Sequence, residues 1–435
     1  MTKRSRRLFL SIGINSTGYL GTSWKARKGN RLDFVDYDYY LGLTRKAHAA
    51  RFDAVFFSDH PALMLDTEVR PLHSFEPLTL LTALAAQVPD VGLWFTGTTS
   101  YNSPYNLARR LQTLDHISGG RIIFNAVSSF NPAVAANYGN DPLPPREARY
   151  RKADEFMQLL DELWGSWDLK REGAVPEGRL WDNSSAHAVN HQGEFFNVAG
   201  PLNVPRGPQG RPVIAQAGAS GDGIEFAARH GELIYCSLLS KQAAFEFGGK
   251  LRQRAAELGR PANAIKMFPA LVPIAARTEA EARERLYAVT GAGTEEGLIA
   301  KFAQEHGLDG PNFDPDAPLD ESHFAATPGQ QRPVGFTQSI FEVIRLEKVS
   351  TRQLVNRLEG GHRLVVGTPD KIADTIIDWW ESGAADGFNI QAAALPDELD
   401  SFAELVVPIL QDRGVFPRDY DGSTLRERFD LPFPS

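Results

Sequence analysis

The chain has 435 residues, of which 42% are hydrophobic and 23% are charged. This composition is typical of a soluble globular protein and excludes a collagen-like, coiled-coil or wholly disordered chain. Its 46 basic and 54 acidic side chains give a net charge of −8, which opposes binding to nucleic acid or to an anionic membrane surface. The single cysteine, Cys236, cannot form an internal disulfide, and no Cys/His cluster has zinc spacing. We therefore expect a cytoplasmic protein without a metal.

Short apolar or β-branched runs alternate with amphipathic helical segments along the chain. The runs predict eight strands, at 7–14, 53–59, 91–99, 121–127, 212–218, 232–237, 265–274 and 387–393. Helices are predicted near 36–51, 77–88, 104–117, 147–164, 221–230, 241–258, 278–289 and 369–382. Eight strand–helix units predict an α/β fold, a closed (β/α)8 TIM barrel. The alternative is an open doubly wound sheet, which the missing glycine-rich dinucleotide fingerprint disfavours.

Three segments lie outside the plain barrel. Two predicted insertions, 166–211 and 291–362, follow the fourth and seventh predicted helices, and long excursions of this kind are usually lids or binding loops. The tail, 401–435, has the pattern of a helix followed by an extended arm, which could wrap the barrel or a second subunit. We therefore predict a single barrel domain over 1–435, and we expect 291–362 to close over its site.

Polar residues at the carboxyl ends of the predicted strands are the first candidates for a site, because barrel enzymes place their chemistry there. Asp59 follows the second strand, and it can bind a ligand donor or cap a loop. Thr96 and Thr98 end the third strand, where they can line a polar pocket or simply fill a strand. Asn125 lies among apolar neighbours in the fourth strand, so its amide must find partners, and a ligand is one possibility.

Small residues connect the fifth predicted strand to the following helix. The segment 216–223, with Ser220 and Gly221, would expose backbone N–H groups at a positive helix end and outlines a phosphate site, although a tight turn would need the same glycines. His187 and His191 are four residues apart, but the Asn and Gly around them favour a loop or hairpin over a metal site. Cys236 lies within a predicted strand and is read as a core residue.

Longer strings of the sequence resemble one known family. The chain is similar to the nitrilotriacetate/dibenzothiophene-sulfone monooxygenases, which belong to the bacterial-luciferase-like flavin-dependent monooxygenases. The resemblance runs almost end to end, and the string PLNVPRGPQGRPVIAQAGAS is the most specific part of it. The segments that carry it are Tyr39–Asp59, Pro104–Ser128, Tyr150–Phe156, His191–Gly221 and Val407–Leu425.

The resemblance implies a luciferase-like barrel that binds FMN. Carried over by position, the flavin contacts of the family fall on Asp59, on Thr96 or Thr98, on Tyr150, and on Ser220 with the Gly221 amide. Ser220, Gly221 and the Tyr150 hydroxyl would then hold the phosphate or ribityl end.

One region departs from the family pattern. Many relatives have a histidine in the loop after the first strand, whereas the corresponding segment here, Ser16–Lys25, has none. The catalytic residues therefore stay unassigned at this point.

The resemblance also implies the reaction. We expect the oxygenase component of a two-component system, in which a separate NAD(P)H:flavin reductase supplies reduced FMN and a C4a-peroxyflavin oxygenates a small organic substrate. Oxidative cleavage of a flavin substrate, deazaflavin-dependent hydride transfer, and flavin binding without turnover remain open alternatives. We expect a homo-oligomer, either dimer or tetramer, and no nucleic-acid or membrane partner. The sequence does not identify the substrate.

Overall fold

The computed structural model describes residues 6–63, 75–139, 142–168, 178, 180, 183–218, 221–324 and 334–434, the side chains of 334 and 335 excepted. The strands are β1 Phe9–Gly13, β2 Ala54–Phe57, β3 Gly92–Thr98, β4 Ile122–Val127, β5 His191–Gln192, β6 Asn197–Val198, β7 Val213–Ala217, β8 Leu233–Cys236, β9 Lys266–Ala275, β10 Leu358–Glu359, β11 His362–Gly367 and β12 Gly387–Gln391.

Eight parallel strands close into a barrel in the order β1-β2-β3-β4-β7-β8-β9-β12. The ring is completed because β12 pairs back with β1, from Phe9 opposite Gly387 to Gly13 opposite Gln391. These strands lie close to the eight predicted ranges, so the predicted (β/α)8 barrel is confirmed. The first strand includes the apolar run after Arg7, and the Arg7 guanidinium pairs with Asp421 at 2.6 Å.

Helices surround the barrel and connect its strands. They are α1 Ser23–Ala26, α2 Tyr37–Ala49, α3 Pro77–Ala85, α4 Pro104–Ser118, α5 Pro132–Asn137, α6 Arg146–Trp164, α7 Gly221–His230, α8 Lys241–Glu257, α9 Glu279–Thr290, α10 Glu295–His306, α11 Val334–Glu347, α12 Thr351–Val355, α13 Pro369–Glu381, α14 Asp397–Ser401, α15 Val407–Asp412 and α16 Leu425–Arg428.

Local sequence explains where several of these helices begin. Proline occupies the first turn of α3, α4 and α13, where its missing N–H costs nothing. The Glu76 carboxylate accepts hydrogen bonds from the N–H groups of Leu78 and Thr79 at the start of α3. Among the described residues, no helix is both long enough and apolar enough to cross a membrane.

The interior of the barrel is apolar at its amino-terminal end. Phe9, Trp94 and Phe268 point inward there, with ring centroids of Phe9 and Phe268 6.2 Å apart and those of Trp94 and Phe268 5.9 Å apart. The neighbouring residues on each strand point outward and pack against the helices, as Phe95 does beside Phe124. The barrel therefore separates two apolar layers.

The C-terminal arm fills the amino-terminal end of this interior. Leu425, Phe429 and Leu431 are buried among the inward residues, and the Phe429 ring lies 5.1 Å from that of Phe9. The predicted arm thus packs on its own barrel.

A buried ion pair fixes the arm. The Arg426 guanidinium lies 2.6 Å from the Glu232 carboxylate, and Arg211 lies 3.0 Å from the same carboxylate. Burial alone would raise the pKa of Glu232, but the two guanidinium groups hold it down at about 2. The carboxylate therefore stays charged, and its desolvation is offset by paired hydrogen bonds.

The insertions are structured where they are described. The first contains the β5–β6 hairpin, which agrees with the hairpin reading of the segment around His191. The second contains α10, α11, α12 and β10, and its apolar residues pack against Val272 and Ile274 of β9. Two described strands, β10 and β11, were missed by the sequence analysis. They pair with each other, and β11 continues the sheet along β9 beyond the end of β8, from Arg363 opposite Leu271. The second insertion therefore reaches the carboxyl end of the barrel.

The ion pair of the arm can be tested by substitution. Arg426→Met should lower the free energy of unfolding by about 3 kcal/mol, because it leaves the buried Glu232 carboxylate with one guanidinium fewer. Urea denaturation measures the change. Arg418→Met is the matched control, since Arg418 pairs with Asp412 on the surface, and it should cost less than about 1 kcal/mol. Equal losses in the two variants would contradict this role of the arm.

Candidate active site

Thr96 and Asn125 form a polar pair inside the barrel. Thr96 lies on the same face of β3 as Trp94, two residues nearer the carboxyl end, and it is opposite Asn125 of β4. The Asn125 Nδ2 atom donates a hydrogen bond of 3.1 Å to the Thr96 hydroxyl. Asn125 is only 3% exposed, and its Oδ1 atom has no partner among the described residues. An acceptor is therefore left available above the apolar layer.

Thr98 has a different environment from Thr96. Its hydroxyl accepts hydrogen bonds from the Ser100 N–H at 3.0 Å and from the Ser129 hydroxyl at 2.8 Å. These bonds tie the loop after β3 to the loop after β4. Thr98 thus orders the mouth of the barrel and also lines a groove.

This groove brings Asp59 and Thr98 together. It has a volume of about 1320 Å³, begins beside Asp59 and His60, and continues between α3 and α4 past Arg109. The pKa of Asp59 is raised to about 6, mainly by burial and to a smaller extent by the nearby Glu76 carboxylate. A hydrogen bond from the His60 N–H partly offsets this rise. Asp59 can therefore act as a donor or an acceptor within one unit of pH 6.

Tyr150 belongs to α6, and its side chain packs against α7. Its ring makes an edge contact with Phe226 at 6.2 Å, and the Arg146 guanidinium lies 5.6 Å from the ring centroid. Gly221 is exposed at the start of α7, where a Cβ atom would meet nothing within 4 Å. Ser220 lies outside the described residues, so its predicted role remains a prediction. Within the described residues, no hydrogen bond joins Tyr150 to Asp59 or to the Thr96–Asn125 pair.

A chain of side-chain hydrogen bonds on the first two strands and the last strand was missed by the sequence analysis. The Ser58 hydroxyl donates to Asn15 Oδ1 at 2.7 Å, Asn15 Nδ2 donates to Gln391 Oε1 at 3.1 Å, and Gln391 Nε2 donates to Asn389 Oδ1 at 2.6 Å. Gly13 makes room for it, because a Cβ there would lie 2.6 Å from Gln391 Oε1. The alternation of Asn389 and Gln391 with apolar residues in the last predicted strand was the available signal.

The second insertion adds an aromatic cluster to the mouth. The Nε2 atom of His362, in β11, and the Tyr235 hydroxyl form a hydrogen bond of 2.8 Å. The His362 ring also lies against Tyr19, with the two centroids 5.2 Å apart. Tyr19 belongs to the loop after β1, the segment that has no histidine of its own. Sequence spacing gave no sign of this contact.

The remaining candidates are structural. Cys236 is 3% exposed, and its burial raises the pKa of its thiol, which agrees with its reading as a core residue. His191 lies between Glu155 and Glu162, whereas His187 contacts Asp168. Over the described ranges, no group of three or more His, Cys, Asp or Glu side chains has the arrangement of a metal site.

Among the described residues, seven of the nineteen buried side-chain atoms without a hydrogen-bond partner lie around the mouth. Such atoms are rare in native proteins unless water or a ligand satisfies them. These seven lie at or just beyond the carboxyl ends of β3, β4, β7 and β12 and at the start of β11. Among the described residues, the atoms that lack a hydrogen-bond partner include Ser100 Oγ, Tyr101 Oη, Asn125 Oδ1, Ser128 Oγ, Gln216 Oε1, His362 Nδ1 and Asn389 Nδ2. Both donors and acceptors are present, so the mouth is suited to a polar organic ligand.

The raised pKa of Asp59 predicts a pH-dependent stability. Folded Asp59 keeps its proton up to about pH 6, whereas the unfolded group loses it near pH 3.8, so the free energy of unfolding falls as pH rises through this range. Asp59→Asn cannot ionise. The variant's Tm minus the wild-type Tm, measured without added flavin, should increase between about pH 4 and pH 6 and then level off.

The control for this measurement is Asp419→Asn, at a side chain that is 89% exposed. Its Tm difference from the wild type should not change over the same range. A flat difference for Asp59→Asn as well would show that the buried environment of Asp59 does not favour its neutral form.

Comparison with known proteins agrees with this architecture. Residues 14–386 match the model of the family described as luciferase-like monooxygenase. The chain is 37% identical to nitrilotriacetate monooxygenase component A of Aminobacter aminovorans, over 97% of this chain and 95% of that protein. The solved structure of an EDTA monooxygenase from Chelativorans sp. BNC1 is 41% identical, with a TM-score of 0.86, and the match covers 99% of this chain and 100% of that one.

A further solved structure extends the comparison. A riboflavin lyase, determined with a modified FMN and its substrate riboflavin, is 30% identical with a TM-score of 0.81, and the match covers 98% of this chain and 97% of that one. The predicted family resemblance and the predicted enzyme class are therefore confirmed: the chain belongs to the luciferase-like monooxygenase family.

Proposed function

We propose that this protein is the oxygenase component of a two-component FMN-dependent monooxygenase. A separate NAD(P)H:flavin reductase would supply reduced FMN, and one atom of O2 would enter a small organic substrate. The observation that carries the proposal is the set of unpartnered buried polar atoms at the mouth of a barrel that belongs to this family. The name of the nitrilotriacetate relative, component A, supports a system of separate components.

The polar atoms of the mouth fit FMN. A reduced isoalloxazine ring carries N–H donors and two carbonyl acceptors, and its ribityl chain adds hydroxyl groups. Asn125 Oδ1 offers an acceptor to such a ligand, and Asn389 Nδ2 offers a donor. Asp59 and Thr96 would bind the ring or ribityl groups, while Tyr150, Ser220 and the Gly221 amide would hold the phosphate at the start of the ten-residue helix α7. The riboflavin lyase, solved with a modified FMN, supports this choice of flavin.

The protein's part of the reaction is to bind, orient and exclude water. Reduced FMN supplies the activation of O2 when it is bound. The Thr96–Asn125 pair and the chain from Ser58 to Asn389 are positioned by hydrogen bonds before any ligand arrives, so they lose little on binding. Phe336 of the second insertion packs on His362, which in turn packs on Tyr235, and these rings would keep bulk water from the reacting atoms.

Turnover and its alternatives can be separated in one experiment. The enzyme is mixed with chemically reduced FMN and 18O2 together with nitrilotriacetate, EDTA, sulfones, thioethers, alkanes or riboflavin, and products are analysed by mass spectrometry. One 18O atom in a product supports the proposal. Cleavage of riboflavin would instead favour the flavin-cleaving alternative, for which the 30% identical riboflavin lyase is the precedent. Turnover only with a reduced deazaflavin, or flavin binding without any product, would contradict the proposal.

The phosphate assignment predicts the effect of Ser220→Ala. Loss of one charge-assisted hydrogen bond should weaken FMN binding by roughly 1–2 kcal/mol. The dissociation constant is measured by quenching of flavin fluorescence. Ser382→Ala, at the opposite end of the barrel after α13, is the control and should leave FMN affinity unchanged. Equal affinity of wild type and Ser220→Ala would remove Ser220 from the phosphate site.

A further inference from the structure

The β10–β11 hairpin has a tip of fixed shape. Gly360 and Gly361 form its two-residue loop, with φ angles of 55° and 86°, which is the left-handed backbone of a type I′ turn. Aromatic rings rest directly on this loop. A Cβ atom at Gly361 would lie 2.4 Å from the Phe336 ring, and one at Gly360 would lie 2.6 Å from the Tyr19 ring. The tip is therefore held between Phe336 of α11 and Tyr19 of the loop after β1, which fixes the position of the residue that follows it.

That next residue is His362, which is 1% exposed. Its imidazole is enclosed by three aromatic rings, with centroid distances of 5.2 Å to Tyr19, 5.6 Å to Tyr235 and 5.0 Å to Phe336. Two of its atoms are polar, and their environments differ. Nε2 is hydrogen-bonded to the Tyr235 hydroxyl, whereas Nδ1 has no hydrogen-bond partner among the described residues.

The positions of the hydrogen atoms in the His362–Tyr235 pair follow from the number of polar groups that each arrangement leaves without a hydrogen-bond partner. Burial lowers the pKa of His362 to about 3 and raises the pKa of Tyr235 well above its usual value, so both groups are neutral at pH 7. If Nε2 carried the imidazole proton, the phenol O–H and the Nδ1 lone pair would both lack partners. If the phenol donates to Nε2, only the Nδ1 N–H lacks one. The second arrangement leaves fewer unsatisfied groups and is favoured.

Tyr235 places this pair at the site. Its ring points into the barrel and stacks on Phe56, with centroids 5.5 Å apart, and Phe56 belongs to the apolar layer beneath the mouth. Tyr235 therefore contacts the apolar layer through its ring and His362 through its hydroxyl. Glu359 of β10, the charged residue that precedes the two-residue loop, is paired with Lys301 of α10 at 3.9 Å.

We propose that His362 is a substrate-binding residue of this site, whose Nδ1–H donates a hydrogen bond to an acceptor oxygen of the substrate. Tyr235 acts as a positioning residue that fixes the ring and its tautomer. The class of ligand group is a carboxylate, sulfonyl or carbonyl oxygen. The inference rests on the proposed function, because it takes the barrel mouth to be the reaction site. The second insertion then provides a histidine next to the loop after β1, which lacks one.

The tautomer is tested without turnover. Protein labelled with 15N-histidine is examined at pH 7 by two-bond 1H–15N correlation, and the His362 signal is identified by its loss in His362→Phe. A neutral ring with its proton on Nδ1 is expected. Nitrilotriacetate and riboflavin, which carry carboxylate and carbonyl oxygens, are then added in turn at saturating concentration to the FMN-bound protein. At least one of them should shift the Nδ1–H resonance. A proton on Nε2, or no shift with either probe, would overturn the proposal.

Two variants separate hydrogen bonding from packing. His362→Phe keeps a ring among the three aromatic side chains but removes both nitrogens, whereas His362→Asn keeps an N–H close to the position of Nδ1. The Kd of the probe that shifts the resonance should rise roughly tenfold in His362→Phe and by less than about threefold in His362→Asn. Equal weakening in the two variants would assign His362 a packing role and overturn the proposal.

Failure of the proposed function would look different. A protein that incorporates no 18O, yet shows an Nδ1–H that responds to a probe, keeps the binding role of His362 and loses the monooxygenase assignment. A protein that oxygenates a substrate while His362→Phe retains wild-type KM and wild-type probe Kd keeps the function and loses the inference.

Discussion

The structure depends on how the inside of the barrel is filled. At one end, the inward side chains of the eight strands and the arm after β12 together fill the interior, with Phe429 and its neighbours packed among the strand residues. At the other end the inward residues are polar, from Thr96 and Asn125 to Asn389. Because buried polar atoms are costly without partners, an apolar floor under a polar mouth requires something polar to sit in the mouth. The apolar end of the interior thus stabilises the fold, and the polar end provides the ligand site.

The second insertion adds what the barrel itself lacks. Its helices form their own apolar cluster against β9, so it does not have to order itself at each binding event. From that base, the β10–β11 hairpin reaches over β8 and brings an imidazole to a loop on the opposite side of β12. Rigid support of this kind is what a site needs to hold a binding group within a fraction of an ångström.

Much of the fold was predictable because its signals are local. The strands were visible as apolar runs of the right length, and Asn125 stood out because an amide between Phe124 and Ala126 has to find a partner. The site was predictable only in part. His362 meets Tyr235 across 127 residues of sequence, through a turn whose two glycines look like any loop, and no periodicity records such a contact. Leu425 and Phe429 were likewise invisible as core residues, because a four-residue helix has no pattern to read.

The position of the arm also bears on how the protein is made. The apolar interior is closed by residues 425–431, which are synthesised after all eight strands of the barrel. During translation the strands can pair and the outer helices can dock, but the amino-terminal end of the barrel stays open until these residues arrive. For that interval Phe9, Trp94 and Phe268 are exposed to other nascent chains, and exposed apolar surface is what drives aggregation of folding intermediates. Chaperone dependence of expression should therefore be set by the last residues of the arm, far in sequence from the strands they protect.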